Sequence, residues 1–153
     1  IVGFDTFAGF PKVTADDGMS AMMIKGGLSV SVNYEKYLNG VLDCHDKDAP
    51  LAHIKKYELC KGDAAQKIGP YLKKNPETII ALAYFDFDIY EPTRCCLQAI
   101  RSRLVKGSVL AFDELNDHDS PGETKALMDV MGLINIRLKR YRYASRVSYF
   151  IVE

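Results

Sequence analysis

Apolar residues along this chain gather into short runs, several of which end in acidic residues, and segments with helical spacing lie between them. "IVGFD" (1–5) predicts a short buried strand ending at Asp5. Residues 6–31 carry four glycines, one proline and no sustained period. So long an irregular stretch in a compact domain is usually functional, which makes 12–33 a candidate lid or mobile loop. Tyr34, Tyr37, Leu38, Val41 and Leu42 then recur at helical spacing. "KYELCKGDA" (56–64) reads as a second strand entering a turn, with Asp63 just past it. A short helix follows, which Pro70 starts or interrupts, ending near Asn75-Pro76.

"TIIALAYFDFD" (78–88) is a continuous apolar run, the pattern of a parallel strand covered on both faces. Pro92 suits the first turn of a helix that carries Cys96, Leu97, Ile100 and Leu104, with Gly107 past its end. "SVLAFDE" (108–114) is another buried strand ending in acid. Ser120, Pro121 and Glu123 match a capping box opening a helix that stops at Gly132. "INIRLKRY" (134–141) alternates, "VSYFIVE" (147–153) closes the chain, and the two predict an antiparallel pair at a sheet edge. Strand–helix repeats followed by two strands describe a single α/β domain over 1–153, with a largely parallel sheet between helices.

Composition narrows the function. The 153 residues include 20 Lys+Arg and 20 Asp+Glu, so the basic surplus of a nucleic-acid binder is missing. No apolar run reaches the ~18 residues of a membrane span. Cys44, Cys60, Cys95 and Cys96 lack paired zinc spacing, and adjacent Cys95-Cys96 is awkward for a disulfide framework. Reduced thiols and a cytoplasmic protein are expected. The chain starts at Ile1, inside a strand-like run, as a fragment would.

In open α/β sheets, ligands bind beyond the carboxyl ends of the strands. Asp5, Asp63, Asp86 with Asp88, and Asp113 with Glu114 all fall at such ends and should converge. Crowded carboxylates repel unless a cation lies between them. A hard, all-oxygen donor set suits Mg²⁺, with Mn²⁺ or Ca²⁺ as alternatives. Capping of helix N-termini is the competing use of these acids.

The blocks "GFDTFAGFP" (3–11), "KGDA" (61–64), "YFDFDIYEPT" (84–93), "KGSVLAFDELN" (106–116) and "SPGETKAL" (120–127) closely resemble, in this order, the macrocin O-methyltransferase family, nearest to 6-deoxyhexose 3-O-methyltransferases of nucleotide-linked sugars. The resemblance implies a Rossmann-like class I methyltransferase sheet whose last strand is antiparallel, S-adenosylmethionine, a divalent metal, and a homo-oligomer. By motif, Asp86, Asp113 and Glu114 fall on metal ligands and Asp88 on the general base. Asp5 and Thr6 fall at the cofactor ribose, Asp63 and Ala64 near its adenine, and Asp86 also borders the cofactor. Glu114 stands where the family more often has aspartate. Tyr90, Asn116 and His118 are candidate contacts to a sugar or nucleotide-sugar acceptor.

The family's first strand and glycine-rich turn precede "IVGFD", and that strand lies between the ones ending at Asp5 and Asp86. These residues alone are therefore expected to be neither stable nor catalytic. Two other functions stay open: an Asp-x-Asp nucleotide-sugar glycosyltransferase and a non-catalytic methyltransferase-like domain. Arg137, Lys139, Arg140, Arg142 and Arg146 form a basic cluster expected to protect a sheet edge.

Overall fold

Two long apolar runs pair side by side at the centre of the fold. The computed structural model describes residues 1–153. Strand β3 (Ile80–Phe85) lies parallel to β4 (Leu104–Phe112), with Phe85 opposite Phe112. Strand β6 (Ser148–Ile151) runs antiparallel to β4, and the two-residue β5 (Lys139–Arg140) pairs antiparallel with β6. The order of this sheet is β3-β4-β6-β5. Strands β1 (Val2–Asp5) and β2 (Glu58–Lys61) pair parallel in a separate two-stranded piece. The split between β1 and β3 falls between the two strands that the resemblance predicts to be separated.

Aromatic rings tie the larger sheet together. Phe85 stacks on Phe112 at 4.9 Å between centroids, and Phe112 faces Phe150 at 6.4 Å. Helices α2 (Ala64–Lys74), α3 (Tyr90–Ile100) and α4 (Gly122–Met131) form a layer in which α3 touches both others. They bury Ile68, Leu72, Leu97, Ile100 and Leu127, each contributing about 1.5–3 kcal/mol of apolar burial. Helix α1 (Tyr34–Asp48) stands apart and buries none of its residues. It is tethered by the Tyr57 hydroxyl, which donates to Asp43 at 2.6 Å, and by Lys61 on Glu35 at 2.6 Å.

Several boundaries differ from expectation. Leu104 and Gly107 belong to β4 rather than to the end of α3, because a 3₁₀ turn at Arg101–Arg103 closes the helix first. Pro70 lies inside α2, whose N-cap is Asp63. The closing strands do form the expected antiparallel pair at the sheet edge, with β5 outermost and β6 against β4, but only Lys139–Arg140 of the alternating segment pairs. The capping box at Ser120 does not form. Pro121 occupies the N-cap without a side-chain bond, and the Glu123 carboxylate turns inward instead.

Candidate active site

The acids sit where adjacent parallel strands run out. β3 ends at Phe85 and β4 at Phe112, and the Asp113 amide donates to the Phe85 carbonyl at 3.0 Å. Asp86 and Asp113 are thus the first residues beyond two neighbouring strand ends. Asp88 follows in a left-handed backbone conformation, φ 59°. The Tyr84 hydroxyl donates to Asp113 at 2.7 Å, and burial, then this bond, raises the tyrosine's pKa.

The acids act on one another's protonation. Burial, then Asp113, Glu114 and Asp5, raise the pKa of Asp86. Burial pushes Asp88 up to about 7, with Glu114, Asp86 and Asp113 adding to it. Asp86 therefore feels carboxylates from both pieces of the sheet.

A cavity of about 180 Å³ opens beside these acids, lined by Asp5, Thr6, Asp63, Ala64, Asp86 and Asp88 together with Phe10, Leu28 and Val30. That is less than the ~300–1,000 Å³ of a complete small-molecule site, so it has room for part of a large cofactor. The predicted cofactor residues all line it. Some of their atoms are already used: Asp5 accepts from the Phe7 amide at 2.6 Å, and Thr6 donates to the Gly9 carbonyl at 2.6 Å. Asp63 accepts from the Ala65 amide at 2.9 Å as the cap of α2.

The predicted metal ligands do not close into a group. The donor chemistry, oxygen-only and mutually repelling, fits a hard divalent cation. Yet no three candidate ligands lie close enough together to hold an ion. Two of these acids have other partners: Tyr84 holds Asp113, and Arg146 takes Glu114 at 2.7 Å and Asp117 at 2.5 Å. Tyr90, Asn116 and His118 are not among the cavity-lining residues. The Tyr90 hydroxyl donates to Asp129 at 2.9 Å, the Asn116 amide donates to Thr124 at 2.8 Å, and His118 is fully exposed.

The structure adds three residues to the site. Glu123, 0% exposed, accepts from the Phe87 amide at 2.9 Å, the Asp88 amide at 3.4 Å and the Glu114 amide at 3.4 Å. Burial pushes its carboxyl up to about 8 against the opposing pull of those amides. Asp17 is buried and accepts from the Tyr90 amide at 2.5 Å and the Thr14 amide at 2.6 Å. It fastens the start of segment 12–33 to the head of α3, while Met19, Met22, Ile24 and Val32 beyond it stay exposed. Arg146, grouped in the sequence with a basic edge, is the cation facing Glu114. The spacing of Glu123 signalled a helix cap, and nothing in the sequence singled out Asp17.

No family model matches this sequence, and neither does any curated protein. Solved structures do match. The structure of CalS11, calicheamicin methyltransferase, superposes with a TM-score of 0.94 and 42% identity, over 98% of this chain and 59% of that one. Over nearly its whole length the chain is similar to this methyltransferase. An apo structure of CalS11, described as a TDP-rhamnose 3'-O-methyltransferase in calicheamicin biosynthesis, gives 0.80 and 38% identity over 98% of this chain and 56% of that one. The O-methyltransferase NovP shares the fold at a TM-score of 0.65 and 17% identity, over 99% of this chain and 59% of that one. The chain thus spans less than two thirds of the length of these proteins. In the family's terms the sheet is the mostly parallel class I methyltransferase sheet, with β6 as its antiparallel strand.

Proposed function

We propose that the complete protein moves a methyl group from S-adenosylmethionine to a hydroxyl of a sugar, either a nucleotide-linked deoxysugar or one in a glycoside. The observation that carries this reading is the convergence of Asp5, Asp63, Asp86 and Asp88 on one cavity in a chain 42% identical to a calicheamicin methyltransferase. Asp5 and Thr6 would meet the cofactor ribose and Asp63 and Ala64 its adenine, with Asp86 bordering both cofactor and metal. Asp86, Asp113 and Glu114 would hold Mg²⁺, with Arg146 giving up its hold on Glu114.

A bound divalent cation lowers the pKa of a sugar hydroxyl and fixes its direction. Asp88, half-buried at the cavity edge, takes the proton as the hydroxyl oxygen attacks the sulfonium methyl. Holding the donor methyl in line with the acceptor oxygen supplies much of the remaining gain. Tyr90, Asn116 and His118 would reach the outer part of the acceptor once segment 12–33 closes as a lid, excluding water. A homo-oligomer acting on a small-molecule sugar in the cytoplasm fits this reading. No helix is long and apolar enough to cross a membrane.

Calorimetric titration of the complete protein with S-adenosylhomocysteine, with and without Mg²⁺, tests it. Wild type should bind the product, and Asp86→Asn should lose the magnesium dependence. No product binding under either condition would favour the glycosyltransferase or a non-catalytic domain.

A further inference from the structure

The first turn of α4 gathers both acid-bearing loops through main-chain contacts. Glu123 accepts from the amides of Phe87 and Asp88 with Oε1 and from the amide of Glu114 with Oε2. Its neighbour Thr124 accepts from the amide of Asn116 through Oγ1 at 2.8 Å. Both loops carry a residue in the left-handed region, Asp88 at φ 59° and Asn116 at φ 62°. Such conformations cost about 1–3 kcal/mol and persist only where the surroundings hold them. The approach is close as well: a Cβ on Gly122 would lie 2.6 Å from the Asp88 carbonyl oxygen and 2.6 Å from the Tyr90 amide nitrogen.

A fully buried carboxyl group is an expensive way to fill space. Left without partners, a buried polar group costs about 1–3 kcal/mol, and an apolar side chain would pack there without that cost. Its two oxygens instead point at different loops, which a hydroxyl or a single-oxygen amide does not do.

Resting on the proposed methyl transfer, we infer that Glu123 is a positioning residue. Its carboxylate bridges the loop after β3 to the loop after β4 and fixes Asp88 relative to Glu114 without touching substrate or cofactor. The consequence is directional. The base and the last acid of the candidate metal set are registered to one another by a single side chain, whereas Asp5 and Asp63 are held by separate elements. Loss of the bridge affects turnover more than cofactor binding.

The test uses the complete protein as wild type, Glu123→Gln and Glu123→Ala. Glutamine keeps one acceptor oxygen, so one loop stays held and the other is released; alanine releases both. Amide hydrogen exchange should rise about tenfold at the released positions among Phe87, Asp88 and Glu114, the effect of losing one or two buried hydrogen bonds. Exchange elsewhere and S-adenosylhomocysteine affinity should hold within about threefold of wild type. With TDP-rhamnose as acceptor probe, kcat should fall by roughly 10–100-fold at little change in KM, as for a displaced catalytic group.

Unchanged exchange at all three amides in a folded variant overturns the proposal, as does a Glu123→Gln enzyme with wild-type kcat. Failure of both variants to fold does so too, since Glu123 would then be a determinant of the fold alone. Wild type that transfers no methyl group counts against the proposed function, and the exchange data then decide the bridge by themselves.

Discussion

The Asp17 carboxylate and the Tyr90 main-chain amide, 73 residues apart in sequence, meet at 2.5 Å. Tyr90 is the first residue of α3, so one of the unpaired donors at that helix start is satisfied from the candidate lid. Asp17→Ala would strand this amide and that of Thr14. The expected loss is about 1–3 kcal/mol per unsatisfied buried group, read as a lower melting temperature, with proteolytic cleavage appearing within 12–33. A melting temperature equal to wild type would mean that the latch contributes nothing.

Gly122→Ala separates two opposed effects. Alanine is the better helix former by ~1 kcal/mol, so at an open helical position it would stabilise. Here its Cβ would meet main-chain atoms of Asp88 and Tyr90 at 2.6 Å, and backbone cannot swing aside. We expect a net destabilisation of about 1–3 kcal/mol in urea unfolding of the complete protein, as for overpacking elsewhere. A more stable variant would show that α4 does not press on the loop after β3.

Thiol chemistry should follow burial. Cys96 is buried, and that burial pushes its pKa up to about 12, so below that pH it stays a thiol and does not react. Cys44 is exposed on α1. Alkylation at pH 8 followed by peptide mass mapping should label Cys44 first and Cys96 only after denaturation. Early labelling of Cys96 would show that α3 detaches from the core under native conditions.

Residues 1–153 by themselves should unfold without a sharp transition and fail to bind S-adenosylhomocysteine. The two pieces of sheet do not pair with one another, and β3 leaves Leu82 63% and Tyr84 50% exposed. Urea unfolding and calorimetry measure both halves of this expectation. A cooperative transition accompanied by product binding would refute it.

The central strands were legible as unbroken apolar runs that acids end at Asp86 and Asp113, although β3 is covered on one face only and leaves Leu82 and Tyr84 exposed rather than buried on both sides. The boundary at Leu104 was not, since that residue continues the helical stripe of Ile100 and equally begins an apolar strand. Glu123 satisfies the spacing of a capping box, but three main-chain amides compete for its carboxylate and win. Arg146 reads as one of several basic residues, and only the return of β6 beside β4 carries it to Glu114. Convergence of the acids could be anticipated from strand ends. Their spread away from a closed metal group could not, and neither could the partners, Tyr84 and Arg146, that two of them meet in space.

The stacked rings of Phe85 and Phe112 immediately precede Asp86 and Asp113 in the chain. Interior packing and reactive surface are therefore consecutive residues on the same two strands. A lineage that repacks this aromatic pair shifts the spacing of its acids in the same step. A substitution in this aromatic pair that leaves stability intact can therefore still misplace the acids and be felt first in activity.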